Sequence, residues 1–130
     1  MVRLVLPRWL LGLVLLSPLL VAACDSPEER VREYVADGQA RLAAGEVERA
    51  SVLFRNVLRI EPNNAAALLG MGRVHEERQD FRRAYAAYRE AAAADPTLLE
   101  AHTAYATLAL AGGRLEHVRE AAARFREQAP

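Results

Sequence analysis

A 34-residue period runs through most of this chain and limits its fold more than any other feature. Segments 31–64, 65–98 and 99–130 lie in register. Gly38 then stands over Gly72 and Ala106, Ala50 over Ala84 and Val118, and Phe54 over Tyr88 and Ala122. Pro62, Pro96 and Pro130 share one position; so do Gly45, Gln79 and Gly113, and Tyr34, Leu68 and His102. A unit of this size cannot bury an apolar face alone, so units of such a period stack against their neighbours into one elongated core.

Each unit reads as two amphipathic helices. In the first unit they run over roughly Pro27 to Ala44 and Glu46 to Ile60. The chain is rich in alanine and 6% aromatic, a balance that favours helix over strand. Gly45 and Gly113 suit an inter-helix turn at positive φ. Glu46 and Asp80 open second helices, where a carboxylate meets the positive end of the helix dipole. Pro62 and Pro96 close second helices, because proline has no N–H to donate and clashes with the preceding turn. Gly38, Gly72, Ala50 and Ala84 are small where paired helices approach closely, and Phe54 and Tyr88 fill the space beside them. Ser26-Pro27-Glu28-Glu29 has the order of a helix start: cap, proline, acids.

The third unit departs from the pattern, with Val118 and Ala122 at the small and aromatic positions and Phe125 three residues on. Exchanging large for small across one contact can conserve volume, so a third helix pair is expected. No further polar-faced helix follows Pro130 to cap it. That end is expected to pack on a partner or on a second copy, or to belong to a longer array.

Glycine at unit position 8, alanine at 20, an aromatic at 24 and proline at 32 resemble the tetratricopeptide repeat. The resemblance covers about 100 of 130 residues. It implies an all-α solenoid of three helix-turn-helix repeats over 31–64, 65–98 and 99–130. In that family the first helices of successive units line a concave groove for a protein or peptide. The matching positions are Arg32, Val35, Ala36, Gln39, Leu42 and Ala43 in the first unit. They are Ala66, Leu69, Gly70, Arg73, Glu76 and Glu77 in the second, and Glu100, Thr103, Ala104, Thr107, Leu110 and Ala111 in the third. Ala36, Gly70 and Ala104 would leave room for a guest. Gln39, Arg73, Thr103 and Thr107 would hydrogen-bond it, and Leu42, Leu69 and Leu110 would touch its apolar side. The family's clamp for a C-terminal carboxylate needs basic residues and asparagine; Val35, Gln39, Gly70, Glu100 and Ala104 stand there instead, so that clamp is absent.

The first 23 residues read as an address. Arg3 and Arg8 precede the apolar run Trp9 to Ala23, fifteen residues broken only by Gly12, Ser17 and Pro18. A spanning helix needs about 20 apolar residues, so the run suits a signal peptide better. It ends in Val21-Ala22-Ala23-Cys24, which resembles the lipobox of bacterial lipoproteins. The resemblance implies cleavage before Cys24 and thioether attachment of diacylglycerol to its thiol, followed by a short polar tether over residues 24–30. Two or more acyl chains anchor a protein stably. Asp25 resembles the signal that retains lipoproteins on the inner membrane in enteric bacteria, with the outer membrane as the alternative.

Charge excludes other roles. The 17 basic residues, all arginine, balance 17 acids. Without Arg3 and Arg8 there remain 15 basic against 17 acidic, which draws neither nucleic acid nor anionic lipid. His75-Glu76-Glu77-Arg78-Gln79 lacks the second histidine that a zinc protease helix requires, so His75 reads as a packing residue. His102 and His117 read likewise, and no phosphate loop or nucleophile motif is present. No enzyme, metal or cofactor is expected. The two resemblances together imply an envelope lipoprotein acting as a scaffold for assembly, secretion, pilus or exopolysaccharide export; the alternative is a periplasmic holding chaperone with many weak clients.

Overall fold

In the computed structural model the described residues are 26–112 and 115–128, the side chains of 115–121 excepted. Residues 1–23, where a leader is expected, together with Cys24, Asp25, Gly113 and Pro130, lie outside them, as do the side chains of His117 and Val118. Six helices follow one another: α1 (Pro27–Ala43), α2 (Val47–Ile60), α3 (Ala65–Glu77), α4 (Phe81–Ala94), α5 (Leu99–Ala111) and α6 (Leu115–Gln128). Among the described residues there is no strand. Each helix packs on the next in chain order, and α1 also touches α3, which gives three stacked pairs.

Local chemistry sets the helix ends. Ser26 accepts from the Glu29 N–H at 3.1 Å, and Glu29 returns the bond to the Ser26 N–H at 3.1 Å. Asn64 caps α3 by accepting from the Ala67 N–H at 2.9 Å, and Asp80 caps α4 through the Arg83 N–H at 3.1 Å. Glu46 precedes α2 without capping it; its carboxylate instead binds Arg41 and Arg49 at 3.1 and 2.8 Å. α2 ends at Ile60 and α4 at Ala94, two residues ahead of Pro62 and Pro96.

The turn after α1 takes Gly45 at φ 77°, as its glycine requires. The matching turn after α3 takes Gln79 at φ 59°, although it has a side chain. Both turns close in the same way. The Gly45 and Gln79 N–H groups bond the carbonyls of Leu42 and Glu76, while those of Glu46 and Asp80 bond Arg41 and His75. Two satisfied carbonyls hold Gln79 in a conformation that disfavours a side chain.

The core is built on ring-to-glycine contacts. The Phe54 ring is fully buried. A Cβ on Gly38 would lie 2.7 Å from it, and one on Gly70 would lie 2.4 Å away. One ring on α2 is therefore clasped by α1 of its own unit and α3 of the next. Tyr88 repeats this on α4: a Cβ on Gly72 would lie 2.3 Å from its ring. Around Phe54 gather Val31, Val57, Ala67 and Val74; around Tyr88 gather Leu69, Tyr85, Ala92, Ala101 and Tyr105. The second seam is closed by the Tyr85 and Tyr105 rings, with centroids 5.0 Å apart.

The seam positions carry different residues on the outer helices than within the stack. Ala67 and Met71 of α3, and Ala101 and Tyr105 of α5, face the unit before them. The same positions of α1 hold Glu33 and Asp37, and Asp37 pairs with Arg41 at 3.1 Å. The outer side of α1 is thus a polar cap. Leu58 and Ala92, at one shared position of α2 and α4, pack into the seams, and on α6 that position is an exposed Arg126. A charge therefore stands at this point of the α6 edge.

In the third pair the Val118 side chain, which was expected to compensate for Ala122, lies outside those described. Phe125 lies edge-on against His102, with ring centroids 5.6 Å apart, instead of filling the place of the missing aromatic. A hollow of about 280 Å³ remains where Ala106 and Ala122 replace a glycine and a ring.

Two stability measurements test this packing. Gly72→Leu forces the Tyr88 ring to move and is expected to cost about 2–3 kcal/mol or more, seen as a lower urea midpoint. Gln79→Gly relieves the left-handed strain, less the entropy that glycine loses on folding, and should raise stability by about 0.5–1 kcal/mol.

Candidate functional site

The first helices of the units present the face on which a guest was expected. Gln39, Leu42 and Ala43 of α1 meet Arg73, Glu76 and Glu77 of α3 around a pocket of about 200 Å³. All six stand among the groove positions read from the sequence. The α-helical spacing of 3.6 residues per turn puts Arg73, Glu76 and Glu77 on one face of α3. Arg73 is paired with Glu100 of α5, so the guanidinium bridges the second and third units. Counting this pair with Glu76 and Glu77 leaves two uncompensated acids beside the pocket.

Glu76 is also tied to the core. The Tyr88 hydroxyl donates to its carboxylate at 2.6 Å, so the ring that locks α3 to α4 holds one wall of the pocket. Burial pushes the Tyr88 phenol well above the ordinary tyrosine range, and the neighbouring Glu76 carboxylate adds to this.

Other expected groove residues lie elsewhere. Thr103, Thr107 and Leu110 line the hollow between α5 and α6, together with Leu99, Ala106, Ala122 and Phe125. The two threonines donate to carbonyls one turn back, at 2.9 and 2.8 Å, so their protons are used within α5. Arg32 is exposed near the start of α1, and Val35 packs toward the first core cluster. Leu69 and Gly70 depart from the expectation. Leu69 is 6% exposed within the second core cluster, and Gly70 is buried beneath Phe54. Their position numbers match groove positions, but the neighbouring unit covers them. Sequence reasoning missed Leu99, Ala106, Ala122 and Phe125 as surface features, though two alanines at ring-lock positions were a visible signal.

His75 and His102 are packed, and the His117 side chain lies outside those described. His75 is partly buried, and that burial holds its imidazole below the usual histidine range; Asp80 pulls the other way, while Arg78 and Arg83 reinforce the shift. His102 is 6% exposed, and its Nε2–H donates to the Pro96 carbonyl at 3.0 Å, fixing the turn between α4 and α5. Asp95 steadies the same turn. It accepts the Thr97 hydroxyl and N–H at 2.7 and 2.9 Å, and these bonds hold its carboxyl below the ordinary range. Among the described residues no three His, Cys, Asp or Glu side chains gather as a metal site, and no helix is long and apolar enough to cross a membrane.

The chain is similar to the tetratricopeptide repeat family over residues 41–84, the stretch from the end of α1 into α4, and this supports a tetratricopeptide-repeat protein. Such repeats serve generally as scaffolds for protein–protein interaction and are typically not enzymes. No curated protein matches the chain.

The link between core and pocket can be read by titration. The folded state holds the Tyr88 proton more tightly than the unfolded chain does. Its contribution to stability is therefore intact below about pH 10, the unfolded tyrosine range, and is lost as pH climbs through the raised folded value. Followed at 295 nm, Tyr88 should resist ionisation until the fold gives way, and Tyr88→Phe should remove that late step.

Proposed function

We propose that this protein is a membrane-anchored scaffold of the bacterial cell envelope. Lipid on Cys24 would hold the helical stack on the periplasmic side, and the face formed by α1 and α3 would recruit a protein partner. The observation that carries the reading is the nearness of anchor and fold. The capping box closes at Ser26, and α1 begins at Pro27, three residues after the cysteine of the lipobox. A tether that short keeps the groove at the bilayer surface and raises the local concentration of any partner held in the same membrane, without adding a contact. Asp25 supports the inner membrane as the site.

The binding face supports a protein guest over a small molecule. Its pocket is shallow and mixed in character: Leu42 and Ala43 supply apolar contact, Gln39 a neutral amide, and Glu76 and Glu77 negative charge. A segment crossing α1 and α3 would meet all of these at once, and a basic side chain in it would suit the two acids.

Two experiments test the reading. Mass spectrometry of the protein from bacterial membranes should find a Cys24 N-terminus carrying diacylglycerol, and Cys24→Ser should abolish both lipid and cleavage. A free thiol at Cys24 in the wild type would end the proposal. A photo-crosslinking residue at Gln39 should yield one discrete adduct in cells, whereas the same residue at exposed Arg89 of α4 should yield none; equal labelling from both positions would contradict the groove.

A further inference from the structure

The seam that joins units within this molecule continues onto a face that no described residue covers. α3 seats on α1 and α2, and α5 seats on α4 and joins Leu69 and Tyr88 in one core cluster, each time beside a large residue of the first helix and a ring of the second. In the third pair, the residues at the positions of Leu69 and Tyr88 are Thr103 and Ala122. Both line the hollow of about 280 Å³. Its rim is apolar: Leu99 is 58% exposed and Leu110 is 53% exposed, the two most exposed large hydrophobics among the described residues. Ala106 closes the floor where earlier units carry a glycine beneath a ring.

Resting on the scaffold reading, we propose that the α5–α6 face seats one α-helix of a partner protein. That helix presents a large apolar side chain, aromatic by preference, to the hollow between Ala106 and Ala122. It also places a carboxylate of its first turn toward Arg126. The occupant follows from the molecule's own seams. There, the host supplies the ring and the docked helix supplies the gap, as Phe54 fits under Gly70. Here the host supplies the gap, so the guest must supply the ring. Seam continuity makes the guest a helix, and Arg126 at the position of Leu58 and Ala92 selects an acid, which also suits the guest's N-terminal dipole. A second copy adding head to tail is disfavoured by charge, because the outer face of α1 would bring Glu33, Asp37 and Arg41 to an apolar hollow.

The test uses the full chain in phospholipid nanodiscs and fluorescent, stapled helical peptides of the sequence Asn64–Arg78. One peptide keeps Gly70, one carries Gly70→Phe, and a further pair adds Ala65→Glu or Ala65→Arg to the Phe peptide. The Phe peptide should bind at least about tenfold tighter than the Gly peptide. Ala122→Phe in the protein should reverse that order, because the host then fills its own hollow. Leu110→Glu, at an exposed rim position that leaves the core intact, should abolish binding of both. The Glu peptide should exceed the Arg peptide, and Arg126→Glu should invert them. Equal affinity of the Phe and Gly peptides, or no binding by either, overturns the proposal. So does sedimentation showing that the chain alone forms a dimer which Leu110→Glu dissociates, since a second copy then holds the face. Crosslinking from Gln39 is read separately: if it persists while the peptides fail, the scaffold reading stands and only this seat is lost.

Discussion

The architecture depends on one repeated contact, an aromatic ring set against helix backbone where a glycine has left its side chain out. Phe54 meets Gly38 and Gly70, and Tyr88 meets Gly72, at distances that no Cβ would allow. Each glycine inside a helix costs about 1 kcal/mol relative to alanine. Full burial of a phenylalanine returns about 1.5–3 kcal/mol, and dispersion across the close helix contact adds to it. Because Gly38 and Gly70 lie in different units, the same ring fixes the angle within a pair and the stacking between pairs.

This contact reaches the surface through Tyr88. Its ring is 1% exposed in the second core, yet its hydroxyl holds Glu76 at the pocket wall. The placement of the acidic pocket is thus set by packing more than by charge. Ion pairs play a lesser part. Arg78 grips Glu48 of the previous unit through two nitrogens, at 3.0 and 2.7 Å, but Glu48 is largely exposed, and pairs of that kind contribute about 0–1 kcal/mol. Charges act mainly by exclusion: Glu33 and Asp37 on α1, and Arg126 on α6, occupy positions that are apolar in the interior of the stack and so limit what can join it. At the α5–α6 face the described residues leave a largely apolar hollow, with Arg126 next in sequence to its Phe125, unlike the acidic, half-polar pocket between α1 and α3.

Much of this was legible in the chain alone. The period, the small residues beside Phe54 and Tyr88, the cap at Ser26 and the prolines after α2 and α4 are local or periodic signals, and each corresponds to the helix ends and contacts found. The pocket residues Gln39, Leu42, Arg73, Glu76 and Glu77 were legible through the resemblance, whose groove positions fall on them. Gln79 was not, since its left-handed backbone is held by hydrogen bonds to carbonyls that a residue-type reading does not weigh. Leu69 and Gly70 were misplaced for another reason: a position within a unit does not reveal which flank the next unit covers.

The sequence by itself therefore determined the helices and their pairing, because backbone caps, turns and hydrophobic period act within one unit. Tertiary structure decided which of the repeated positions remain open. Burial at a seam depends on the side chains that two neighbours bring together, so the space beside Ala122 is set by residues of both helices, Phe125 among them. In this fold Phe125 turns to His102, and the cavity stays open.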